Sequence, residues 1–442
     1  MKALIIAAGM GRRIRNLGDS KPLVKLLGLP LIERVIMTAK KAGVNEFVVV
    51  VGYNAEKVKE ELKRIEKQRG VNIQVINNSE WDKENGLSVL KARDALDGEK
   101  FLLLMSDHIH DPEIIESLVN FQLNDGEVVL AVDRKIDTNH LVDHDDVTKV
   151  YVEDGFIRDI GKKIEKFNAF DTGAFLCTSA IFDAIEESIR EQGDSTLSGG
   201  IRMLARNKKA RALDIGEAFW IDVDDETAYR KAEGFLLGKL NKNSDGPVSR
   251  YLNRPISRFL TRYIVKLPIT PNQMTIFSFL VAVSAGISFL FKNFLAIGGI
   301  LTQISSILDG VDGEIARIKY LETKFGKWLD SVLDRYADGI ILGGLTWNAY
   351  HFQLLSGFSL LAGWFAIIGS LVNSYIAMKY DELMLKLGKH GYFRIGRDLR
   401  LFFIFLGAIA GRPLETLVVL GIVMNAENIR RIFILKKHEN LL

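Results

Sequence analysis

The chain has 442 residues, 48% apolar and 26% charged, which is long enough for two or three domains. A net charge of +3 gives no bulk electrostatic case for nucleic acid as a partner. The single cysteine, Cys177, excludes an intramolecular disulfide and a cysteine-based zinc cage.

The N-terminal run MKALIIAAGM has a short apolar core before Arg12 and Arg13, which predicts a β-strand over 3–8 and not a signal peptide. That strand leads into Gly9-Met10-Gly11, followed by helical periodicity over 31–42 and a second strand over 46–51. Strand, glycine loop, helix, strand is the order of a βαβ unit. Further strands are predicted at 71–76, 101–105 and 128–132, and helices at 55–68, 87–95 and 112–124. The first 232 residues therefore read as a three-layer, Rossmann-like α/β domain with a mixed sheet. Asp107 follows strand 101–105, and Asp222 and Asp224 lie in Trp220-Ile-Asp-Val-Asp-Asp. Ligands of open α/β sheets bind at such strand ends, although a turn or helix-capping role also suits Asp107. His108 and His110 fit polar loop residues better than a zinc pair. Ser88, in Glu84-Asn85-Gly86-x-Ser88, is placed to cap the next helix.

From Arg250 the pattern changes. Arg250, Arg254, Arg258, Arg262 and Lys266 recur every four residues among Leu252, Ile256, Phe259, Leu260, Tyr263 and Ile264. This predicts a basic amphipathic helix on an anionic membrane surface, kinked at Pro255, within a linker spanning 233–268. Thr270-Pro271-Asn272-Gln273 reads as an N-cap, first-turn proline and capping box. Apolar segments at 273–291, 294–308, 329–350, 354–378, 395–411 and 413–433 predict an all-α bundle of six transmembrane helices over 269–442. Lys and Arg gather in alternate loops, so the positive-inside rule places both termini, the α/β domain and both sites on the cytoplasmic side of a multi-pass cell-membrane protein.

Asp309, Asp312, Gly313, Ala316 and Arg317 follow at helical steps, and after a break Gly326, Asp330 and Asp334 do the same. Two helices could therefore aim four carboxylates into one space, with the small residues leaving room for a flat ligand. Hard divalent cations want such an oxygen cage. A solvated acidic face explains these aspartates poorly, because uncharged runs flank them and ionisable groups at a membrane boundary are costly. Lys389, Arg394 and Arg397 are candidates for an anionic acceptor group, and ordinary positive-inside charge explains them equally well.

Two resemblances rest on these residues. Asp309-x2-Asp-Gly-x2-Ala-Arg-x8-Gly-x3-Asp-x3-Asp334 resembles the signature of the CDP-alcohol phosphotransferase family. It implies Mg²⁺, with Mn²⁺ as an alternative, on Asp309, Asp312, Asp330 and Asp334. It also implies nucleotide binding by Gly313, Ala316 and Arg317, and Asp334 as general base. Ala7-Ala8-Gly9-x-Gly11-x-Arg13, then Lys21-Pro22 and Gly28-x-Pro30, resembles nucleotidyltransferases that activate sugar and alcohol phosphates. That implies a triphosphate against Gly9, Gly11, Arg13 and Lys21, and metal on Asp107 with Asp222 or Asp224. It further implies base and acceptor contacts from Glu84, Asn85 and Ser88, and acceptor phosphate on one of Lys162, Lys163 and Lys166, with Lys166 favoured.

The fusion of the two resembles the archaeal bifunctional enzymes that make di-myo-inositol phosphate, a compatible solute. It implies CTP and inositol 1-phosphate as substrates, CDP-inositol as intermediate and the lipid bilayer as a partner, with a homodimer left open. A lipid acceptor, giving a phospholipid head group, and an inactive membrane-anchored nucleotide-binding protein are the alternatives.

Overall fold

The computed structural model describes residues 1–136, 139, 143, 146–240, 246–353, 356–388 and 395–438. The chain divides into two compact units, Met1–Phe235 and Leu236–Leu442.

The first unit is built on a nine-stranded mixed sheet. Its strands are β1 (Lys2–Ala7), β2 (Glu46–Val51), β3 (Asn72–Asn77), β4 (Phe101–Met105), β5 (Val128–Asp133), β6 (Lys149–Glu153), β7 (Phe156–Gly161), β8 (Ala169–Cys177) and β9 (Ala210–Asp214). They lie in the order β3-β2-β1-β4-β8-β5-β9-β7-β6. β1 pairs parallel with β2 and β4, whereas β8 runs antiparallel to β4 and β5. Alternation along β1 decides the layers: Leu4 and Ile6 enter one buried cluster, and Ala3, Ile5 and Ala7 the cluster on the opposite face. Because β8 is antiparallel, its Asp171–Gly173 stretch lies at the same edge as the C-terminal ends of β1 and β4. That edge carries the glycine loop, Asp107 and Asp171.

The helix expected over 87–95 is two short helices, Asn85–Leu90 and Arg93–Leu96, and the one expected to reach 124 ends at Val119. Ser88 does not cap a helix. It lies inside Asn85–Leu90, where its hydroxyl accepts from Asn78 Nδ2 at 3.0 Å.

Helices dominate the second unit: α1 (Arg254–Ile264), α2 (Pro271–Ser288), α3 (Leu295–Ile318), α4 (Lys324–Phe352), α5 (Ser356–Lys386), α6 (Arg397–Ile409) and α7 (Pro413–Lys437). The expected capping box opens α2, with Thr270 and Gln273 each bonding the other's backbone. α2 packs on α3 and α4, α3 on α6, and α5 on α7. At the α2–α4 crossing a Cβ on Gly344 would collide with the Gly286 carbonyl, so glycine is what lets the backbones meet.

Among the described residues two helices, Lys292–Ile318 and Gly357–Lys386, are by length and composition long and apolar enough to cross a membrane. The other predicted spans are shorter or more polar: α6 has 13 residues, and α4 carries Asp330, Asp334, Arg335 and Asp338 in its first half.

α1 corrects the prediction at one member of its basic stripe, Arg254, while Arg250, Arg262 and Lys266 stay exposed. Arg254 turns inward and pairs with Glu314 on α3 at 2.8 Å, and Ser257 and Thr261 donate to the same carboxylate at 2.7 and 2.6 Å. The buried face of α1 is thus polar, while Tyr251 just before it, Phe259 and Tyr263 are exposed. Pro255 stands in the first turn of α1, directly after a π-helical turn at Ser249–Asn253 with which the helix is continuous.

Candidate active sites

In the first unit a cavity of about 760 Å³ opens at the β1–β4–β8 edge, lined by Gly9, Arg13, Lys21, Asn85, Ser88, Asp107, Lys162, Asp171, Asp222 and Asp224, among others. Gly11 has φ +66° and a Cβ there would run into the Lys21 side chain, so both conformation and space require glycine. The loop thereby delivers Lys21 into a nest of carboxylates. Its Nζ lies 2.5 Å from Asp107 and 3.3 Å from Asp222, and it also pairs with Asp224. Burial alone would lower the Lys21 pKa, but Asp107 and Asp222 raise it, so it stays an ammonium. Arg13 pairs with Asp146 at 2.5 Å and with Asp224.

Asp222 pairs across a short two-stranded ladder with His108, which brings the Asp107 and Asp222 segments together. His108 Nδ1 is 2.9 Å from Asp107 and 3.7 Å from Asp222, and the ligand atoms of these three residues all lie within 4.8 Å of one another. Burial opposes ionisation of Asp107, yet Lys21 and His108 hold its carboxyl far below the usual range. A charged oxygen pair with an imidazole beside it fits a divalent ion. His110, by contrast, is buried against the Thr172 carbonyl at 2.8 Å, and burial pushes its pKa down to about 3.

Some expected residues stand elsewhere. Glu84 is exposed at the helix start, outside the cavity wall, while Asn85 Oδ1 is spent on the Leu197 N–H at 2.9 Å. Lys166 lies over the Tyr151 ring at 4.2 Å, and it is Lys162 that reaches the cavity wall, 2.5 Å from Asp146. Nothing in a run of lysines says which one points inward. Asp146, on a loop without a motif, was not foreseen as the partner of both Arg13 and Lys162.

In the second unit α3 and α4 bring Asp309, Asp330 and Asp334 together, with their ligand oxygens within 4.8 Å. Asp312, the fourth expected member, is tied sideways: its Oδ2 accepts from Thr275 on α2 at 2.5 Å and its Oδ1 from the Gly313 N–H. The geometry thus gives three gathered carboxylates plus one fixed neighbour. Gly313 faces the Arg317 guanidinium, where a Cβ would stand 3.2 Å from Nη1, and Arg317 also donates to the Leu240 carbonyl at 3.3 Å. Ala316 is half-buried on the same helix. Gly326 is tight against the N-cap Thr323 and Asn272, so it serves the helix start more than a ligand cleft.

Arg397, at the start of α6, reaches into the carboxylate group. Its Nη1 is 2.8 Å from Asp334 and 3.2 Å from Asp309, and its Nε is 2.9 Å from Asp338. Lys389 and Arg394 lie outside the described residues. Asp338 and Arg400 were missed from the sequence. Asp338 had a signal, since it continues the four-residue step of Asp330 and Asp334.

The MobA-like NTP transferase domain family matches residues 3–203, and the CDP-alcohol phosphatidyltransferase family matches residues 268–425. The chain is 34% identical over 447 residues to a protein of Rubrobacter xylanophilus named bifunctional IPC transferase and DIPP synthase, covering 98% of this chain and 96% of that one. It is 36% identical over 451 residues to the protein of that name from Aquifex aeolicus, covering 98% of each. Among solved structures, the inositol-1-phosphate CTP transferase from T. maritima is 27% identical, covering 51% of this chain and 90% of that one with a TM-score of 0.46. With relatives that run almost end to end along it and a motif-bearing site in each unit, this chain belongs to the family of bifunctional IPC transferases and DIPP synthases.

Proposed function

We propose that this enzyme carries out two consecutive transfers. In residues 1–232, a phosphate oxygen of inositol 1-phosphate attacks the α-phosphorus of CTP, and pyrophosphate leaves as CDP-inositol forms. In residues 269–442, a hydroxyl of a second inositol 1-phosphate attacks the phosphorus bearing the inositol of CDP-inositol. CMP leaves, and the product is a phosphorylated di-inositol phosphodiester. Residues 233–268 connect the two. The carrying observation is that one chain holds two separate carboxylate centres, each beside a cation that can meet phosphate: Lys21 in the first and Arg397 in the second.

In the first site Arg13 and Lys21 stand where they can neutralise the triphosphate, and the glycine loop lets backbone N–H groups approach it. Asn85 and Ser88 line the same cavity and are the residues assigned to base and acceptor, and Lys162 is the lysine best placed for the acceptor phosphate. In the second site Asp334 is the residue to take the proton of the attacking hydroxyl, with Arg317 and Gly313 beside the nucleotide. Mg²⁺, held by Asp107 with Asp222 in one site and by Asp309, Asp330 and Asp334 in the other, would supply positive charge against the phosphates. The remaining catalysis is positioning and charge neutralisation by side chains.

The second unit is read as a bundle of six membrane-spanning helices with both sites cytoplasmic. Supporting this, large apolar side chains such as Phe277, Trp364, Phe365, Ile368, Ile422 and Phe433 are exposed on α2, α5 and α7, as lipid-facing side chains are. Membranes bearing the protein, given CTP, Mg²⁺ and labelled inositol 1-phosphate, should release pyrophosphate and accumulate a water-soluble phosphodiester. Label extracted into organic solvent would instead mark a lipid acceptor, and an absence of pyrophosphate would mark a protein that only binds nucleotide.

A further inference from the structure

We infer that Asp338 is a positioning residue for the second transfer: it holds the Arg397 guanidinium toward the carboxylate centre so that this cation receives the phosphate carried by the acceptor. The inference rests on the two-step reading above and concerns how its second acceptor is selected.

Asp338 sits one helical turn beyond Asp334 on α4 and is 3% exposed. Leaving a carboxylate so buried without partners is costly, and this one has two cations. Its Oδ1 accepts from Arg397 Nε at 2.9 Å and its Oδ2 from Arg400 Nη2 at 2.8 Å. Arg400, one turn along α6, is itself fixed to α5 through the Ser370 carbonyl and the Ser374 hydroxyl. Arg400 therefore backs Asp338, and Asp338 grips Arg397 by its inner nitrogen.

The grip gives the guanidinium a direction. With Nε committed to Asp338, the Nη1 end is turned to Asp309 and Asp334, against a crevice that Thr275, Ser278 and Ala337 also line. A guanidinium presents its N–H donors in a rigid planar fork, so fixing one edge aims the other. Asp309 and Asp334 lie in the group suited to a metal ion, whereas Asp338 is outside it. Asp338 is thus the counter-ion that stays with Arg397 when the other two carboxylates turn to metal and substrate. The partner this geometry selects is a phosphomonoester dianion on the acceptor, since a planar cation donates to phosphate in bidentate fashion. A neutral polyol can accept a hydrogen bond from it but gains no charge pairing.

The test uses the full chain in lipid vesicles, supplied with CDP-inositol. Asp338→Asn should raise the KM for inositol 1-phosphate at least tenfold while the KM for CDP-inositol changes less than twofold. Transfer to unphosphorylated inositol should match wild type, and so should pyrophosphate release from CTP. Asp338→Glu keeps the charge and should show a smaller but equally selective rise, which carries the test should the asparagine variant not fold. Adding Asp338→Asn to Arg397→Ala should leave the KM for inositol 1-phosphate where Arg397→Ala alone puts it. A loss of kcat with unchanged acceptor KM, or an equal rise for phosphorylated and unphosphorylated acceptors, would overturn the assignment. Should the wild-type protein not transfer to inositol 1-phosphate at all, the two-step reading itself falls, and with it this role.

Discussion

Gly11 shows how a single backbone position governs the first site. Its φ of +66° is open to glycine and costly for alanine, and a methyl group there would displace Lys21 from the carboxylates it neutralises. Gly11→Ala should therefore cut pyrophosphate release at least tenfold while leaving transfer from supplied CDP-inositol intact; comparable activity of the variant in both assays would show that Lys21 is placed by something else. Asp171 is the second residue with a measurable signature. Burial raises its carboxyl to about 6, above the unfolded value near 3.8. The folded state thus holds the proton more tightly than the unfolded chain. It gains from Asp171 at low pH and loses that support as pH climbs from about 4 through 6. Asp171→Asn removes the loss and should stabilise the first unit by about 1 to 3 kcal/mol at pH 8, with the gain vanishing near pH 4. Thermal melting of the full chain across that range reads it, and a gain that does not depend on pH would rule out ionisation as its source.

At the scale of elements, the seam between α1 and α3 has a larger energetic stake. Glu314 is fully buried, two residues beyond Asp312, and receives Arg254, Ser257 and Thr261. Removing one member of a buried ion pair leaves the other uncompensated, typically at about 3 to 5 kcal/mol. Glu314→Leu alone should destabilise the second unit by that order, and Glu314→Leu combined with Arg254→Met should recover much of it. Thermal unfolding of the three variants in detergent decides, since additive losses would mean that the ion pair is not the cause. This seam also marks where sequence reading stops. β1, β2 and β4 were legible because they are continuous apolar runs, and the capping box at Thr270 because its chemistry is local, whereas β6, β7 and β9, which mix polar and apolar residues, were not predicted. The rhythm of Asp309, Asp330 and Asp334 showed one face on each helix, and the structure brings those faces together. Arg254 was not legible: a cation every fourth residue looks the same whether the stripe meets lipid head groups or a buried glutamate far along the chain. The same holds for Arg397, whose partners on α3 and α4 are distant in sequence, and for Asp312, whose Thr275 partner belongs to another helix.

For the molecule as a whole, the arrangement implies two sites that share an intermediate but no residue. The catalytic groups of the first lie within Met1–Phe235 and those of the second within Leu236–Leu442. CDP-inositol is water-soluble, and both sites are read as facing the same compartment, so the intermediate can leave one chain and enter another. Two defective chains should then complement each other. Asp107→Asn should abolish pyrophosphate release yet transfer from supplied CDP-inositol at the wild-type rate, and Asp334→Asn should do the reverse, accumulating CDP-inositol. Neither variant alone should form phosphodiester from CTP and inositol 1-phosphate. Mixed in one vesicle population with their sites exposed, they should form it after a lag while the shared pool fills, at a rate within about tenfold of wild type once the pool reaches the second site's KM. A mixed population that stays silent, while each variant keeps its own half-reaction, would mean that the intermediate passes only within a chain, and the two units would then have to be treated as one catalytic machine.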